Sequence, residues 1–329
     1  MPLALRLATF NLENLDDKPG LDPSLEERME VLRPQLSRLR ADVLCLQEVN
    51  GQQSDRHAPR TLAALDRLLA GLPYEHFARA ATESRQGHGA LDVHNLVILS
   101  RFPIRARTQL WHDLAPAPTY RMTTAVPAAT GATAIEWDRP ILHAALDLGS
   151  GRTLHVVNVH LRAPLASFVP GRKRGAFAWT DTAAWAEGFF IASMKRAGQA
   201  FEARLFVDRL LDGDRHALIA VCGDFNADLR EVPVRMIVAS EADTGSGELA
   251  YRAMVPLEQS VPEAARYSVV HGGRVAMIDH VLVSRSLLAS YRSAEIHNEG
   301  LFDEVSTPPV ERPPDSFHAP VVVEFVFAD

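Results

Sequence analysis

The segment Val221-Cys222-Gly223-Asp224-Phe225-Asn226 ends an apolar run, Ala217 to Val221, with a glycine and then a carboxylate and a carboxamide two residues apart. Residues i and i+2 of an extended chain point to one side, so Asp224 and Asn226 are expected to project together from the end of a buried strand. A carboxylate there can bind a metal or take a proton, and a carboxamide can hold an oxyanion or a water. Other segments have the same character. Leu5 to Phe10 delivers Asn11 (ATFNLENL), and Asp42 to Val49 delivers Glu48 (DVLCLQEVN). Leu154 to Leu161 carries Asn158 and His160 (HVVNVHL), and Ala276 to Ser284 carries Asp279 and His280 (MIDHVLVS). The C-terminal DSFHAPVVVEF adds Asp315, Phe317 and His318.

Each of these alone has an ordinary explanation. An Asn at a strand end caps a turn, a Glu after a strand is solvated, and a His in an alternating strand is a hydrogen-bonded core residue. Yet all sit in or beside runs of Val, Ile and Leu. An unpaired polar group buried there costs roughly several kcal/mol, so the simplest arrangement is one polar cleft in which they meet.

The elements that must position them alternate along the chain. Helical spacing covers Leu25 to Leu39, with Pro34 expected to kink or restart the helix. A short helix is expected over Thr61 to Leu69, and a third over Ala200 to Leu211. Further strands are read at Leu96 to Leu99, Pro140 to Asp147 and Val321 to Phe327. The stretch 162–199 is longer than a simple connection requires. It holds Phe168, Phe177, Trp179, Trp185, Phe189 and Phe190 beside Arg172-Lys173-Arg174. It reads either as a helical insertion whose aromatics form a small core, or as a substrate-side lid with Trp179 and Arg172 as contacts.

The 329-residue chain is 47% apolar, enough for a large core, and the motifs span both ends, which predicts one domain over 1–329. No apolar stretch approaches the roughly 18 residues of a membrane span, so no transmembrane helix and no stable membrane insertion are expected. The first strand leaves no room for a signal peptide, and Cys45 and Cys222 read as buried thiols, so a cytoplasmic protein is expected. Nothing in the sequence asks for an obligate protein partner. A net charge of −7 argues against a long-duplex binder, although a metal and local arginines can still hold a phosphate.

The ordered set TFNLEN, LQEV, HNLVILSRFPI, NVHL, GDFNAD, IDHVLVS and HAPVVVEF resembles the endonuclease/exonuclease/phosphatase superfamily from Phe10 to Phe325. That superfamily includes pancreatic-type deoxyribonuclease, exonuclease III-like abasic endonucleases, neutral sphingomyelinases and inositol polyphosphate 5-phosphatases. The resemblance implies a four-layer α/β/β/α sandwich with the site at the top of two sheets. It implies a phosphoesterase using Mg²⁺ or Mn²⁺ held by Asn11 and Glu48, with Asp224 and Asn226 on the attacking water. His160 and His318 would flank the phosphate, and Asp279 would orient His318. Asn95 matches the family's N-x-x-I-L-S-R strand, and Arg121 and Arg139 are further candidate phosphate contacts. The family's terminal motif usually reads Ser-Asp-His; here it is Ser316-Phe317-His318, with Asp315 a possible substitute. The substrate stays open between nucleic acid and a lipid head group or small phosphorylated molecule, with a catalytically weak binding protein as the alternative outside enzymology.

Overall fold

The computed structural model describes residues 2–55, 57–175, 177–305 and 313–328. The first strands are β1 (Leu3–Leu15), β2 (Val43–Val49), β3 (Ala78–Ala81) and β4 (Asn95–Ser100). Next come β5 (Ile104–Leu110), β6 (Ile141–Gly149), β7 (Arg152–His160) and β8 (Leu218–Asp224). Last are β9 (Val255–Pro256), β10 (Asp279–Val283), β11 (Tyr291–Ile296) and β12 (Val321–Phe327). They form two six-stranded mixed sheets, ordered β11-β12-β1-β2-β4-β3 and β9-β10-β8-β7-β6-β5.

Period-two patterning builds the layers. Leu5, Leu7, Val43 and Cys45 of the first sheet pack on Val156, Ala220, Cys222 and Val281 of the second, between the sheets. The other faces bury Ala8, Phe10, Leu44 and Leu46 against helices α1 (Leu25–Leu39) and α2 (Ala63–Leu69). Val157, Val159, Ile219 and Val221 pack against α3 (Thr182–Gly213) and α4 (Val232–Val238). This is the expected four-layer α/β/β/α sandwich. No helix among the described residues is long and apolar enough to cross a membrane. Cys45 and Cys222 are both free and buried.

The direction of the strands places the site. β1 runs parallel to β2, and β8 parallel to β7, so all four end at one edge of the sandwich. β4, β10 and β12 are antiparallel to these neighbours and therefore begin at that edge.

Three expectations are corrected. β1 does not stop at Phe10 but continues to Leu15 through an irregular register after Asn11, with Glu13 and Asn14 at φ 48° and 55°. Helix α1 passes through Pro34 without restarting. Pro34 and Glu30 are both exposed, so water can take the carbonyl that the proline nitrogen cannot. The helix expected from Ala200 begins at Thr182, capped by the Asp181 carboxylate, so half of the 162–199 stretch is its first turns. Of that stretch's aromatics, Trp179 joins the small cluster of Ala125, Ile135, Val169 and Ile191. Phe168, Phe177, Trp185, Phe189 and Phe190 are exposed instead of forming a core.

Candidate functional site

Strand register sets the second sheet's contribution. Asp224 is the direct cross-strand partner of His160 on one side and of Asp279 on the other, so the three side chains stand together. Gly223 pairs with His280, one residue out of phase, so His280 faces the opposite way. Gly223 has φ +137°, and a Cβ on it would lie 1.9 Å from the Val159 carbonyl oxygen, so only glycine lets β8 approach β7 here. Asn226 meets Asp224 by a different route from the expected pleat. Its φ is 48°, in the left-handed region that Asn tolerates. The chain turns back, so that its backbone nitrogen donates to Asp224 Oδ1 (2.8 Å) and its side-chain Nδ2 to Oδ2 (2.9 Å).

The first sheet supplies Asn11 and Glu48. Glu48 sits at φ 57°, where the β2–β4 register slips between Leu46 and Val49, and this bulge turns its carboxylate into the cleft. Beneath them, Gln47 Nε2 donates to Asn158 Oδ1 (2.7 Å), and Asn158 Nδ2 donates back to the carbonyls of Leu46 and Val97. Asn158 is thus the polar tie between the sheets that forms the floor of the cleft.

The two sides meet at Asp224. Asn11 Nδ2 donates to Asp224 Oδ2 (3.0 Å) and to Glu48 Oε1 (3.4 Å). His160 Nε2 lies 3.2 Å from Asp224 Oδ2 and 3.5 Å from Glu48 Oε1. His318, just before β12, engages Asp279 Oδ2 through Nδ1 at 2.8 Å. Asp279 is also anchored through its backbone, whose nitrogen donates to Ser268 Oγ (3.1 Å). Arg139 is buried, with Nη1 donating to the Leu161 carbonyl.

Burial would push Asp224 up, but His160, His318 and the Asn226 backbone hold its carboxyl far below the usual range. Glu48 is likewise held down against burial. Both nearby imidazoles are themselves driven toward neutrality by burial, His160 downward and His94 to about 4. Arg139 and His318 are therefore the cations that keep Glu48 ionised at neutral pH. At His318 burial opposes the charge, yet Asp279, Asp224 and Glu48 push the ring up to about 10.

Other candidates stand outside the cluster. All four hydrogen-bonding positions of the Asn95 side chain are used on Thr82, Leu91 and Val49. Arg172 is engaged by the Thr124 carbonyl and the Asp181 carboxylate, and Trp179 lies beneath Lys173. Both Asp315 carboxylate oxygens accept from Gln35 Nε2 of α1, and Oδ1 also accepts from the Ser316 nitrogen (2.7 Å), while Phe317 is buried with its backbone nitrogen on Glu13 Oε2 (2.8 Å). Arg121 is exposed. His280 forms a fully buried pair with Glu258 (2.7 Å) and contacts the Ala227 carbonyl.

Sequence reasoning overlooked His94, Arg196 and Gln199. His94 precedes Asn95 at the mouth of β4, the same signal that singled out Asn11 and Glu48. Gln199 accepts from the Arg162 nitrogen and donates to the Arg139 carbonyl; Arg196 holds the Asn226 carbonyl. No signal marked these two, because they lie in a helix whose extent was misread.

The chain matches the Endonuclease/Exonuclease/phosphatase family over residues 8–306. Its structure is similar to a family protein from Bacteroides thetaiotaomicron at TM-score 0.59 and 16% identity, each chain covered in full. A mannosyl-6-phosphatase from the same organism gives 0.58 at 16% identity, covering 98% of this chain and 100% of that one. A Neisseria 3′ phosphatase bound to a product DNA hairpin gives 0.54 at 18% identity, covering 98% and 99%. No curated protein matches the chain.

Proposed function

Because the chain belongs to the endonuclease/exonuclease/phosphatase family, whose members hydrolyse phosphoester bonds, we propose that it is a divalent-metal-dependent phosphodiesterase acting on nucleic acid. The observation that carries this reading is the convergence of Asn11, Glu48, His160, Asp224, Asn226, Asp279 and His318 from both sheets on one edge. The donors suit a cation. Glu48 Oε2 lies 3.9 Å from His94 Nδ1, a buried ring nitrogen with no partner. Glu48 and Asn11 would hold Mg²⁺ or Mn²⁺; Asn11 Oδ1 accepts from the Glu13 nitrogen and keeps a second lone pair. When bound, the ion supplies positive charge against the phosphoryl oxygens.

The protein's own groups do the rest. Against burial, His160 and His318 hold the Asp224 carboxyl low, which favours its ionised, hydrogen-bond-accepting form. Asp224 acts by accepting a hydrogen bond from the attacking water and aiming it, with Asn226 beside it. His318 keeps its proton at neutral pH, commits Nδ1 to Asp279, and leaves Nε2–H for a phosphoryl oxygen as charge develops. Arg139 adds a fixed positive charge at the wall.

A second reading, hydrolysis of a small phosphorylated molecule or a lipid head group, is favoured by the net charge of −7. A cytoplasmic setting belongs to the same proposal and rests on the two free thiols. The test is hydrolysis of plasmid DNA, single-stranded DNA, RNA, bis-p-nitrophenyl phosphate, inositol phosphates and sphingomyelin with Mg²⁺ or Mn²⁺. Nucleic-acid cleavage that EDTA abolishes, and that Asp224→Ala lowers by at least about 10²-fold, is expected. Cleavage of small esters alone selects the second reading. Full activity in folded Asp224→Ala overturns the assignment.

A further inference from the structure

We propose that His94 is a nitrogen ligand to the catalytic cation, making a mixed nitrogen–oxygen site with Glu48 that favours first-row transition ions over Mg²⁺. The inference rests on the metal-dependent reading above and extends it to the identity of the ion. His94 lies immediately before β4, at φ 57°, a left-handed conformation uncommon for residues other than glycine, which His adopts more readily than most. Hydrogen bonds on both sides hold it there. Its backbone nitrogen donates to Asn50 Oδ1 (3.1 Å), and the next residue, Asn95, is locked by its four side-chain hydrogen bonds. The ring is thereby turned into the cleft, edge-on to His160 with centroids 5.8 Å apart and planes at 84°.

His94 Nδ1 is buried and has no hydrogen-bond partner. A buried ring nitrogen left unsatisfied is unfavourable by roughly 1–3 kcal/mol, and the nearest anionic group is Glu48 Oε2 at 3.9 Å. That separation is too long for a hydrogen bond. It is within the roughly 4.3 Å that two ligands of one ion can span when each metal–ligand distance is about 2.0–2.2 Å. Glu48, His94 and His160 offer ligand atoms that all lie within 4.8 Å of one another. Glu48 Oε2 is fixed from the other side by the Asn14 backbone nitrogen (3.0 Å), so the carboxylate is already oriented. Mg²⁺ binds oxygen and water and gains little from an imidazole, whereas Mn²⁺, Co²⁺ and Zn²⁺ gain progressively from one.

The experiment is Mn²⁺ binding to the full chain, followed by titration calorimetry and by electron spin-echo modulation, which detects nitrogen bonded directly to Mn²⁺. Wild type, His94→Ala, His94→Asn and His160→Ala are compared, with Mg²⁺ binding measured on each. The expected result is a nitrogen modulation that survives in His160→Ala and disappears in His94→Ala. The Mn²⁺ Kd should rise about tenfold or more in His94→Ala, with Mg²⁺ binding changed less than about twofold. Tight Mn²⁺ binding with no nitrogen modulation, or with modulation unchanged in His94→Ala, overturns the proposal and leaves the metal-dependent hydrolase standing. Absence of any divalent-ion binding to folded wild-type protein overturns both.

Discussion

His318 lies against burial on one side and three carboxylates on the other, and the carboxylates win. The ring is raised from its ordinary 6.5 to about 10, so it is cationic at neutral pH. Rate through this group should therefore fall on the alkaline side only, as the imidazolium is lost toward pH 10. A pH profile of kcat/KM between pH 6 and 10.5 should show that limb, and His318→Gln should lower the rate by about 10²-fold or more and remove it. The stability consequence has the same sign. A group raised on folding contributes fully below 6.5 and loses that contribution as pH climbs through about 10. Asp224 is the reverse case: its contribution is present above 3.8 and is lost only as acid reaches its depressed folded value. Denaturation followed at several pH values would check both. At this scale the sequence was informative, since a polar side chain closing an apolar strand is visible in one dimension. The left-handed backbone of Glu48 was not visible, because a bulge is a property of two strands' register and not of one strand's composition; that of His94 and Asn226 lies in the turns beside their strands.

Helix α3 is the element that fixes the cleft's walls. Gln199 joins the Arg162 nitrogen to the Arg139 carbonyl, Arg196 holds the Asn226 carbonyl and pairs with Glu231, and Glu202 accepts from His112, Leu114 and Trp137. Glu187, in the first turns, accepts from Tyr120, Thr123 and Thr124. The helix's inner face thus carries Glu187, Arg196, Gln199, Glu202 and Arg204 among small and apolar residues, while Trp185, Phe189, Phe190 and Phe201 are exposed. Small and polar residues inside with large aromatics outside are why the first half was not read as helix: the periodicity rule looks for large apolar residues on the buried face. Gln199→Ala should leave the Arg162 nitrogen and Arg139 carbonyl short of a partner and cost about 1–3 kcal/mol in denaturant unfolding. Because it displaces Arg139, it should also lower kcat/KM about tenfold, since small misplacements are costly to catalysis. Activity that falls only with the folded fraction would leave Gln199 as a stabilising residue and nothing more.

For the whole molecule, the sequence implied a two-sheet sandwich only through motif resemblance; alternation gave strands, but their order depends on pairings between distant segments such as Thr9 with Val321. The charge, by contrast, was readable at once and bears on substrate size. The chain carries −7, and Arg67, Arg79, Arg105, Arg107, Arg235 and Arg252 are each paired with a carboxylate. Such surface pairs add little stability, but they cancel the positive field that a long duplex would need. Arg139 lies in the cleft, and Arg162, beside it, is drawn toward Asp138 at 3.6 Å, so engagement of one or two phosphates is the expectation to test. Each phosphate neutralised on a single strand contributes about −0.7 to the slope of log affinity against log salt. With an oligonucleotide substrate and fixed divalent ion, 1/KM should therefore decline with a slope shallower than about −2 between 50 and 200 mM salt. A slope steeper than about −5 would mean a basic track of many phosphates. The short slope would fit cleavage at a strand end or at a small ester, where the ion and His318, and not the outer surface, hold the phosphate.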